Sequence, residues 1–258
     1  MQVLILIRYA SGITYPTDLT FTSDNRLFVM SSSCSSNSPM LEVFADGSYS
    51  TFATGFYYPT SIEHYNDYLY VANSAGDGSI VKVDKYGNKT TFINTNVSWH
   101  GPISLSFDSA GNLYFVIHEN GNIYVSDQLG NIKFIGSTST SLGVTAVSVS
   151  PNGTIFVGDQ VSAKVYKMDN SGKLSVFASG FSGKNLPITG PAPSAIAFDS
   201  NGDMFIGDGP NIWKVTKISD LPEPPVTEPI PEPSTILLLT TGFVSIVTIG
   251  IRRKLKSR

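Results

Sequence analysis

A turn that recurs at nearly constant spacing limits the fold of this chain more than any other feature. Each copy of the turn places a glycine shortly after an aspartate. The four glycines lie 40, 43 and 42 residues apart, at Gly47, Gly87, Gly130 and Gly172. A run that ends in an aromatic residue follows each turn: Phe52, Phe92, Phe134 and Phe177. Because glycine accepts the positive φ of tight turns, the spacing indicates one hairpin-containing unit repeated along the chain.

A second set of short runs repeats with the same period. These runs are rich in Val, Ile, Leu, Tyr and Phe and begin near positions 26, 68, 112, 154 and 203. Such runs, bounded by Asp, Gly and Asn turns, are typical of β-strands. A period of about 40 to 45 residues with four strands per unit is typical of β-propeller blades. One such sheet cannot bury both faces alone, so we expect neighbouring blades to stack into a continuous core.

We therefore predict an all-β fold, a β-propeller of about five four-stranded blades over residues 1–218. The repeats cover approximately residues 14–56, 57–98, 99–140, 141–182 and 183–217. The fifth repeat lacks an outer strand because its third strand leads directly into a proline-rich segment. Residues 9–13 match the segments that follow the outer strands of other repeats. We expect residues 3–10 to supply the missing strand and close the ring.

The repeats resemble the NHL type of β-propeller over roughly residues 10–216. The resemblance rests on Pro-Thr or Pro-Ser before the inner strands, on Asp-x-x-Gly-Asn-Leu-Tyr at 108–114, and on third strands at 80–83 and 165–168. It implies an architecture and not an activity, because propellers host many unrelated functions. NHL propellers are often six-bladed, so a start upstream of Met1 would add a sixth blade.

The composition changes abruptly at residue 219. Six of the twelve residues from Pro222 to Pro233 are proline, which predicts an extended linker over 219–233. Residues 235–251 then form 17 uncharged positions, followed by Arg252, Arg253 and Lys254. At about 1.5 Å per residue this predicts a single transmembrane helix of roughly 25 Å. The basic cluster favours a cytoplasmic C-terminus and acts as a stop-transfer signal.

Residues 234–258, with the motif that precedes them, resemble the PEP-CTERM sorting signal of bacterial proteins. The resemblance rests on Pro231, Glu232, Pro233 and Ser234, on the apolar stretch 235–251 and on the basic cluster. It implies an exosortase-type peptidase as partner, a membrane-anchored precursor, and delivery to the outer surface or extracellular matrix. A plain single-span anchor is the alternative. Residues 1–8 lack the features of a secretory signal, so we expect the true start to lie upstream.

Charge and cysteine content narrow the function classes. The net charge is −3, but five of the last seven residues are basic, and residues 1–251 hold 12 basic and 20 acidic side chains. Such an acidic body has no electrostatic footprint for nucleic acid. Cys34 is the only cysteine, so no internal disulfide is possible. The sequence also contains no phosphate loop, zinc-ligand spacing or nucleophile elbow.

Aligning the repeats places polar residues around one mouth of the predicted channel. The residues after the second strands are Ser31, Asn73, His118, Asp159 and Asp208. Those assigned to positions before the inner strands are Asp18, Ser61, Ser104, Thr145 and Ser194, with His100 nearby. Carboxylates with Asn and His can hold Ca²⁺ or another divalent ion, or act as acid and base. They can also simply satisfy backbone groups of the loops.

Two hypotheses for function follow. The first is an exported surface or matrix propeller that binds a polysaccharide or a surface protein, and it needs neither catalytic residues nor a cofactor. The second is a metal-dependent hydrolase or lyase of the gluconolactonase-like propeller type, with Asp159, Asp208, His118 and Asn73 as candidates. That family has a glutamate near the first inner strand, whereas residues 13–18 offer only Asp18.

Overall fold

The structure is a computed structural model of the chain, and it describes residues 9–32, 36–181, 193–199, 201–208 and 211–216. Every regular element in these ranges is a β-strand, and 19 strands form five antiparallel sheets. The predicted all-β propeller of five blades is confirmed. Within the described ranges no helix is long and apolar enough to cross a membrane. Contacts divide the chain into two compact units, Met1–Ile218 and Ser219–Arg258, and the predicted linker and transmembrane segment lie outside the described residues.

The strands of each blade follow chain order from the inner to the outer edge. Blade 1 consists of β1 (Pro16–Phe21), β2 (Leu27–Ser31), β3 (Ser38–Val43) and β4 (Tyr49–Phe56). Blade 2 consists of β5 (Pro59–Tyr65), β6 (Tyr68–Asn73), β7 (Ser79–Val83) and β8 (Lys89–Asn94). Blade 3 consists of β9 (Pro102–Phe107), β10 (Leu113–Ile117), β11 (Asn122–Ser126) and β12 (Ile132–Ser137). Blade 4 consists of β13 (Val144–Val149), β14 (Ile155–Asp159), β15 (Lys164–Met168) and β16 (Leu174–Ser179). Blade 5 consists of β17 (Pro193–Phe198), β18 (Met204–Asp208) and β19 (Asn211–Val215).

The core lies between the blades, in four clusters that each join one blade to the next. Phe28 and Met30 of blade 1, for example, pack against Ile62 and Val71 of blade 2. The aromatic residues that end the repeated runs meet second-strand rings edge-on. Ring centroids lie 4.8, 5.2 and 4.9 Å apart in the pairs Phe28–Phe52, Tyr70–Phe92 and Phe156–Phe177. Such pairs add about 0.5 to 1.5 kcal/mol to the free energy of burial, which explains why the aromatic position repeats.

The recurring turn is stabilised by its own aspartate. Asp127 Oδ1 accepts hydrogen bonds from the backbone N–H groups of Leu129 and Asn131, both at 2.9 Å. Its Oδ2 accepts a third bond from Asn131 Nδ2 at 2.8 Å. The bonds from Asn131 and its neighbours hold the pKa of Asp127 below its ordinary value. Asp84 is bound in the same way by Asn88 and Tyr86, so the motif encodes a preformed turn.

The turn glycines contact the backbone of the preceding blade. A β-carbon at Gly87 would stand 2.8 Å from the Phe52 carbonyl oxygen, and one at Gly172 would collide with the carbonyl oxygen of Ile135. Gly47 meets the carbonyl of Tyr9 in the same manner. Tyr9 therefore takes the position that outer-strand residues take in other blades. Residues 9 and 10 are not part of a regular strand, and residues 3–8 of the predicted closing strand lie outside the described residues.

Gly172 and Gly153 allow this close approach to be tested. Both have a positive φ, +84° and +83°, but a β-carbon at Gly153 would meet no atom within 4 Å. We expect Gly153→Ala to cost about 1 to 2 kcal/mol of stability, the cost of the left-handed backbone alone. Gly172→Ala should cost roughly 3 kcal/mol or more, because the backbone of blade 3 must also move. Urea unfolding measures both, and equal losses would show that the neighbouring blade yields freely.

Blade 1 and blade 5 each have an exposed residue at a position that is buried between neighbouring blades elsewhere. Leu19 is 56% exposed, although Ile62, Leu105 and Val147 occupy the same register position in blades 2, 3 and 4 and are at most 3% exposed. Ile212 is 77% exposed, whereas its equivalents have no exposed surface: Met40, Ile80, Ile123 and Val165. Within the described residues, blades 1 and 5 therefore do not bury these two residues against each other, as neighbouring blades do elsewhere in the propeller.

Candidate binding channel

A β-bulge stands at the second residue of every inner strand. The five bulge residues are Thr17, Thr60, Ile103, Thr145 and Ser194. Two of them join neighbouring blades, since Thr60 Oγ1 donates to the Pro102 carbonyl at 3.3 Å and Thr145 Oγ1 to the Pro193 carbonyl at 2.7 Å. Bulges bend a strand and redirect its side chains, and they are common at the rims of sites.

The position after the bulge caps the inner strand of the next blade. Ser61 Oγ accepts the N–H of Leu105 at 3.3 Å, and Ser104 Oγ accepts the N–H of Val147 at 3.1 Å. In blade 1 the cap is a carboxylate, since Asp18 Oδ2 accepts the N–H of Ile62 at 2.9 Å. Inner strands are sheet edges, and these caps satisfy N–H groups that no further strand pairs. Blade 4 has Ala146 at this position and carries no such cap.

Residues from the inner strands of all five blades line a central cavity of 340 Å³. A second cavity of 390 Å³ lies where the inner strands end, beside Phe107, Asp108 and Phe198. Glu63 lines both cavities. Serine and threonine hydroxyls provide most of the other polar groups. Of the described residues that line these cavities, three are carboxylic acids (Asp18, Glu63 and Asp108), and none is Lys, Arg or His.

Glu63 has the most perturbed carboxyl group in the channel. Burial raises the pKa of Glu63 to about 8, and the negative charge of Asp18 contributes to the rise. Protein surrounds the side chain on nearly all sides, although it keeps some accessibility through the channel. No described residue donates a hydrogen bond to it or pairs with it. A carboxyl that titrates near neutral pH inside a cavity is a candidate functional group.

Asp18 is held more firmly than Glu63. Its Oδ1 accepts the N–H of Leu19 and its Oδ2 the N–H of Ile62, both at 2.9 Å. Burial raises the pKa of Asp18, and these hydrogen bonds oppose the rise. The sequence pattern indicated Asp18 as a channel residue but not Glu63. The sequence did contain a signal for Glu63, since only blade 2 has an acidic residue at this inner-strand position. The equivalent residues in the other blades are Thr20, Ser106, Ser148 and Ala197.

The structure corrects the register of the polar residues assigned to the channel mouth. Ser31, Asn73, Asp159 and Asp208 are the last residues of second strands, opposite the first residues of inner strands. In blade 3 that position is Ile117, and His118 lies one residue further. The set Asp18, Ser61, Ser104, Thr145 and Ser194 lies within the inner strands, not before them. Thr145 and Ser194 are bulge residues, so they are not equivalent to the other three.

The mouth residues are buried and bind their own loops. Asp159 Oδ1 accepts the N–H of Ser162 at 2.8 Å, and Thr140 donates to its Oδ2. Asn73 Oδ1 accepts the N–H of Tyr57 at 3.2 Å, and Asp208 accepts from Trp213 Nε1 at 3.2 Å. No cluster of three or more His, Cys, Asp or Glu side chains in the described part of the chain is arranged to hold a metal ion.

His118 is also buried. Its Nδ1 lies 2.8 Å from the carbonyl oxygen of Val144, so this nitrogen carries the proton. Burial lowers the pKa of His118, and the nearby His100 ring, 5.7 Å away between centroids, acts in the same direction. The imidazole is therefore neutral at physiological pH.

Solved structures confirm the class of fold. The chain is similar to a streptogramin B lyase, with a TM-score of 0.61, 16% identity, and a match over 77% of this chain and 64% of that one. It is similar to virginiamycin B lyase from Staphylococcus aureus, with a TM-score of 0.59, 13% identity, and coverage of 80% and 68%. A protein of unknown function from Bacteroides thetaiotaomicron matches with a TM-score of 0.60, 17% identity, and coverage of 76% and 53%. At these identities the similarity shows the fold alone, and the chain spans 53% to 68% of the three proteins.

The tail provides the second comparison. Residues 229–254 match the PEP-CTERM protein-sorting motif, so the resemblance predicted from the sequence is confirmed. No curated protein matches the chain by sequence. The chain is thus a five-bladed β-propeller that carries a PEP-CTERM sorting motif. The motif implies an exported protein that an exosortase processes.

Proposed function

We propose that this chain is an exported surface protein whose propeller acts as a binding module. The observation that carries the proposal is the sorting motif at residues 229–254 in the same chain as a five-bladed propeller. A rigid propeller with a polar channel suits a binding role better than a purely connecting one. Its partner would be a matrix polysaccharide or another surface protein, reached after processing.

The tail supports this role through three adjoining parts. By its composition, the proline-rich segment 219–233 would serve as an extended spacer between the propeller and the membrane. Residues 235–251 would hold the precursor in the bilayer, and Arg252, Arg253 and Lys254 would keep its end in the cytoplasm. Pro231, Glu232, Pro233 and Ser234 are then the segment that the exosortase reads. Cleavage there would release the propeller to the envelope, the outer surface or the matrix.

The chain contains a matched control for this sorting model. The tripeptide Pro-Glu-Pro occurs twice, at 222–224 and at 231–233, and only the second adjoins the apolar stretch. We expect triple alanine replacement of 231–233 to leave a full-length protein in the membrane fraction. The same replacement of 222–224 should leave processing unchanged. Intact mass in each cell fraction of the native host measures both, and identical fates for the two variants would refute the proposal.

An enzyme is the second candidate, favoured by the similarity to structures of streptogramin B lyases. It would use Asp159, Asp208, His118 and Asn73 at the channel mouth, with Ca²⁺ or another divalent ion as cofactor. A melting temperature that rises with Ca²⁺, and no longer does so in an Asp159→Ala/Asp208→Ala variant, would support a metal site. Turnover of quinupristin, the ligand of a related inactive lyase structure, would support lyase activity directly.

A further inference from the structure

We propose that the channel binds the primary ammonium group of an amino sugar, with Glu63 as its acceptor and Asp18 as the second negative charge. This inference rests on the binding role proposed above and names the chemistry of the ligand. It concerns the interior of the channel and not the mouth residues.

Glu63 has no hydrogen-bond partner among the described residues. Protein surrounds most of its side chain, which lines both cavities. The equivalent Ser106 of blade 3, in contrast, accepts the N–H of Val149 at 3.1 Å. Enclosing an unpaired carboxyl is costly. A cationic ligand would compensate that cost, so the site favours binding a cation.

The walls of the two cavities are acidic. Asp18, Glu63 and Asp108 line the two cavities, and none of the described lining residues carries a positive charge. Walls of one sign and low dielectric concentrate the field inside a cleft. Residues 1–251 as a whole hold more acidic than basic side chains, as described above. Anionic ligands are therefore repelled, whereas cations are drawn in.

The acceptors in the channel suit an ammonium ion better than a metal ion. A hard divalent ion takes about six to eight oxygen ligands. Both Asp18 oxygens already accept backbone N–H groups, and no described cluster of three metal-ligating side chains exists. A primary ammonium has three donors and needs only three acceptors. Glu63 and the channel hydroxyls can supply them, with Asp18 as the neighbouring negative charge.

The lining and the size of the cavities favour a sugar as the carrier of the ammonium. The channel wall presents the hydroxyl-bearing side chains of Thr20 and Ser148, which can exchange hydrogen bonds with sugar hydroxyls. The cavities of 340 and 390 Å³ are within the range of about 300 to 1,000 Å³ that is usual for small-molecule sites. Phe107 and Phe198 add apolar surface to the second cavity, the one of 390 Å³.

Calorimetric titration of the full chain in detergent tests this inference. The probes are a β-1,4-linked glucosamine tetramer, its N-acetylated counterpart, putrescine and CaCl₂. We expect the glucosamine tetramer to bind at least about tenfold more tightly than the acetylated form, which has lost the cation. Glu63→Gln should weaken that binding about tenfold or more, and Glu119→Gln, an exposed control, should not change it.

A proton count provides a readout that general loss of folding would not produce. Because the Glu63 carboxyl is protonated near pH 6 and the ammonium favours its ionised form, binding should release up to about one proton. Titration in buffers of different ionisation enthalpy measures this release, which should vanish in Glu63→Gln. Equal binding of both tetramers, binding of putrescine without the tetramer, or Glu63-dependent binding of Ca²⁺ alone would each overturn the inference. A chain that is sorted and cleaved but binds no amine would refute only this inference, whereas an unsorted chain would refute the proposed function itself.

Discussion

Replacing Ile80 with alanine should cost about 2 to 5 kcal/mol of stability, whereas the same change at Ile212 should cost less than about 0.5 kcal/mol. The two residues occupy the same register position in blades 2 and 5. Ile80 has no exposed surface and packs between blades 2 and 3, but Ile212 is 77% exposed. The difference is therefore the cavity left by the lost side chain, not any difference in strand propensity.

Urea or thermal unfolding of the full chain measures this pair. Val165, the equivalent of these residues in blade 4, is fully buried, and Val165→Ala serves as a second buried case. A large loss at Ile212 would mean that another surface covers this face, through closure of the ring or through assembly. The face of blade 5 that bears Ile212 would then be covered in solution, either within the chain or by a second molecule.

Glu63→Gln should stabilise the protein above neutral pH and leave it unchanged in acid. Below the ordinary glutamate pKa of 4.5, the folded and the unfolded chain both hold the proton. Between that value and about 8, only the folded chain retains it, so the stability of the native protein falls as the pH rises. Above about 8 both states are ionised, and the penalty becomes constant. Because water reaches the carboxyl, we expect a gain on the order of a few kcal/mol for the variant.

Stability measured at a series of pH values from about 4 to 9 tests this expectation. Glu119→Gln removes an exposed carboxylate and should give a curve parallel to that of the unmodified chain. A Glu63→Gln curve that also runs parallel would mean that Glu63 titrates normally. The acidic channel described above would then be well solvated, and its preference for cations would weaken.

The blades themselves were predictable because their chemistry is local. The Asp turn is stabilised within five residues, as at Asp127, and glycine at the end of it is required by a positive φ. The aromatic pairs repeat with the same period. Each of these features leaves a mark in the sequence, so the five units and most strand positions could be identified from spacing alone.

The site was less predictable because it depends on register and on neighbours. The bulge at the second residue of each inner strand shifts the alignment by one residue, which placed the bulge residues Thr145 and Ser194 in one set with Asp18, Ser61 and Ser104. Glu63 was overlooked since its environment is built by five different strands. Likewise, Ile212 and Ile80 are identical in type, and only the presence or absence of a following blade decides which one is buried.

The caps between inner strands give the propeller a direction. Blade 1 provides an acceptor for the N–H of Ile62, blade 2 for that of Leu105, and blade 3 for that of Val147. In each case the acceptor belongs to the earlier part of the chain. Since a ribosome makes the N-terminal end first, every capped strand emerges to find its acceptor already synthesised. The order of translation thus coincides with the order in which these edges can be closed.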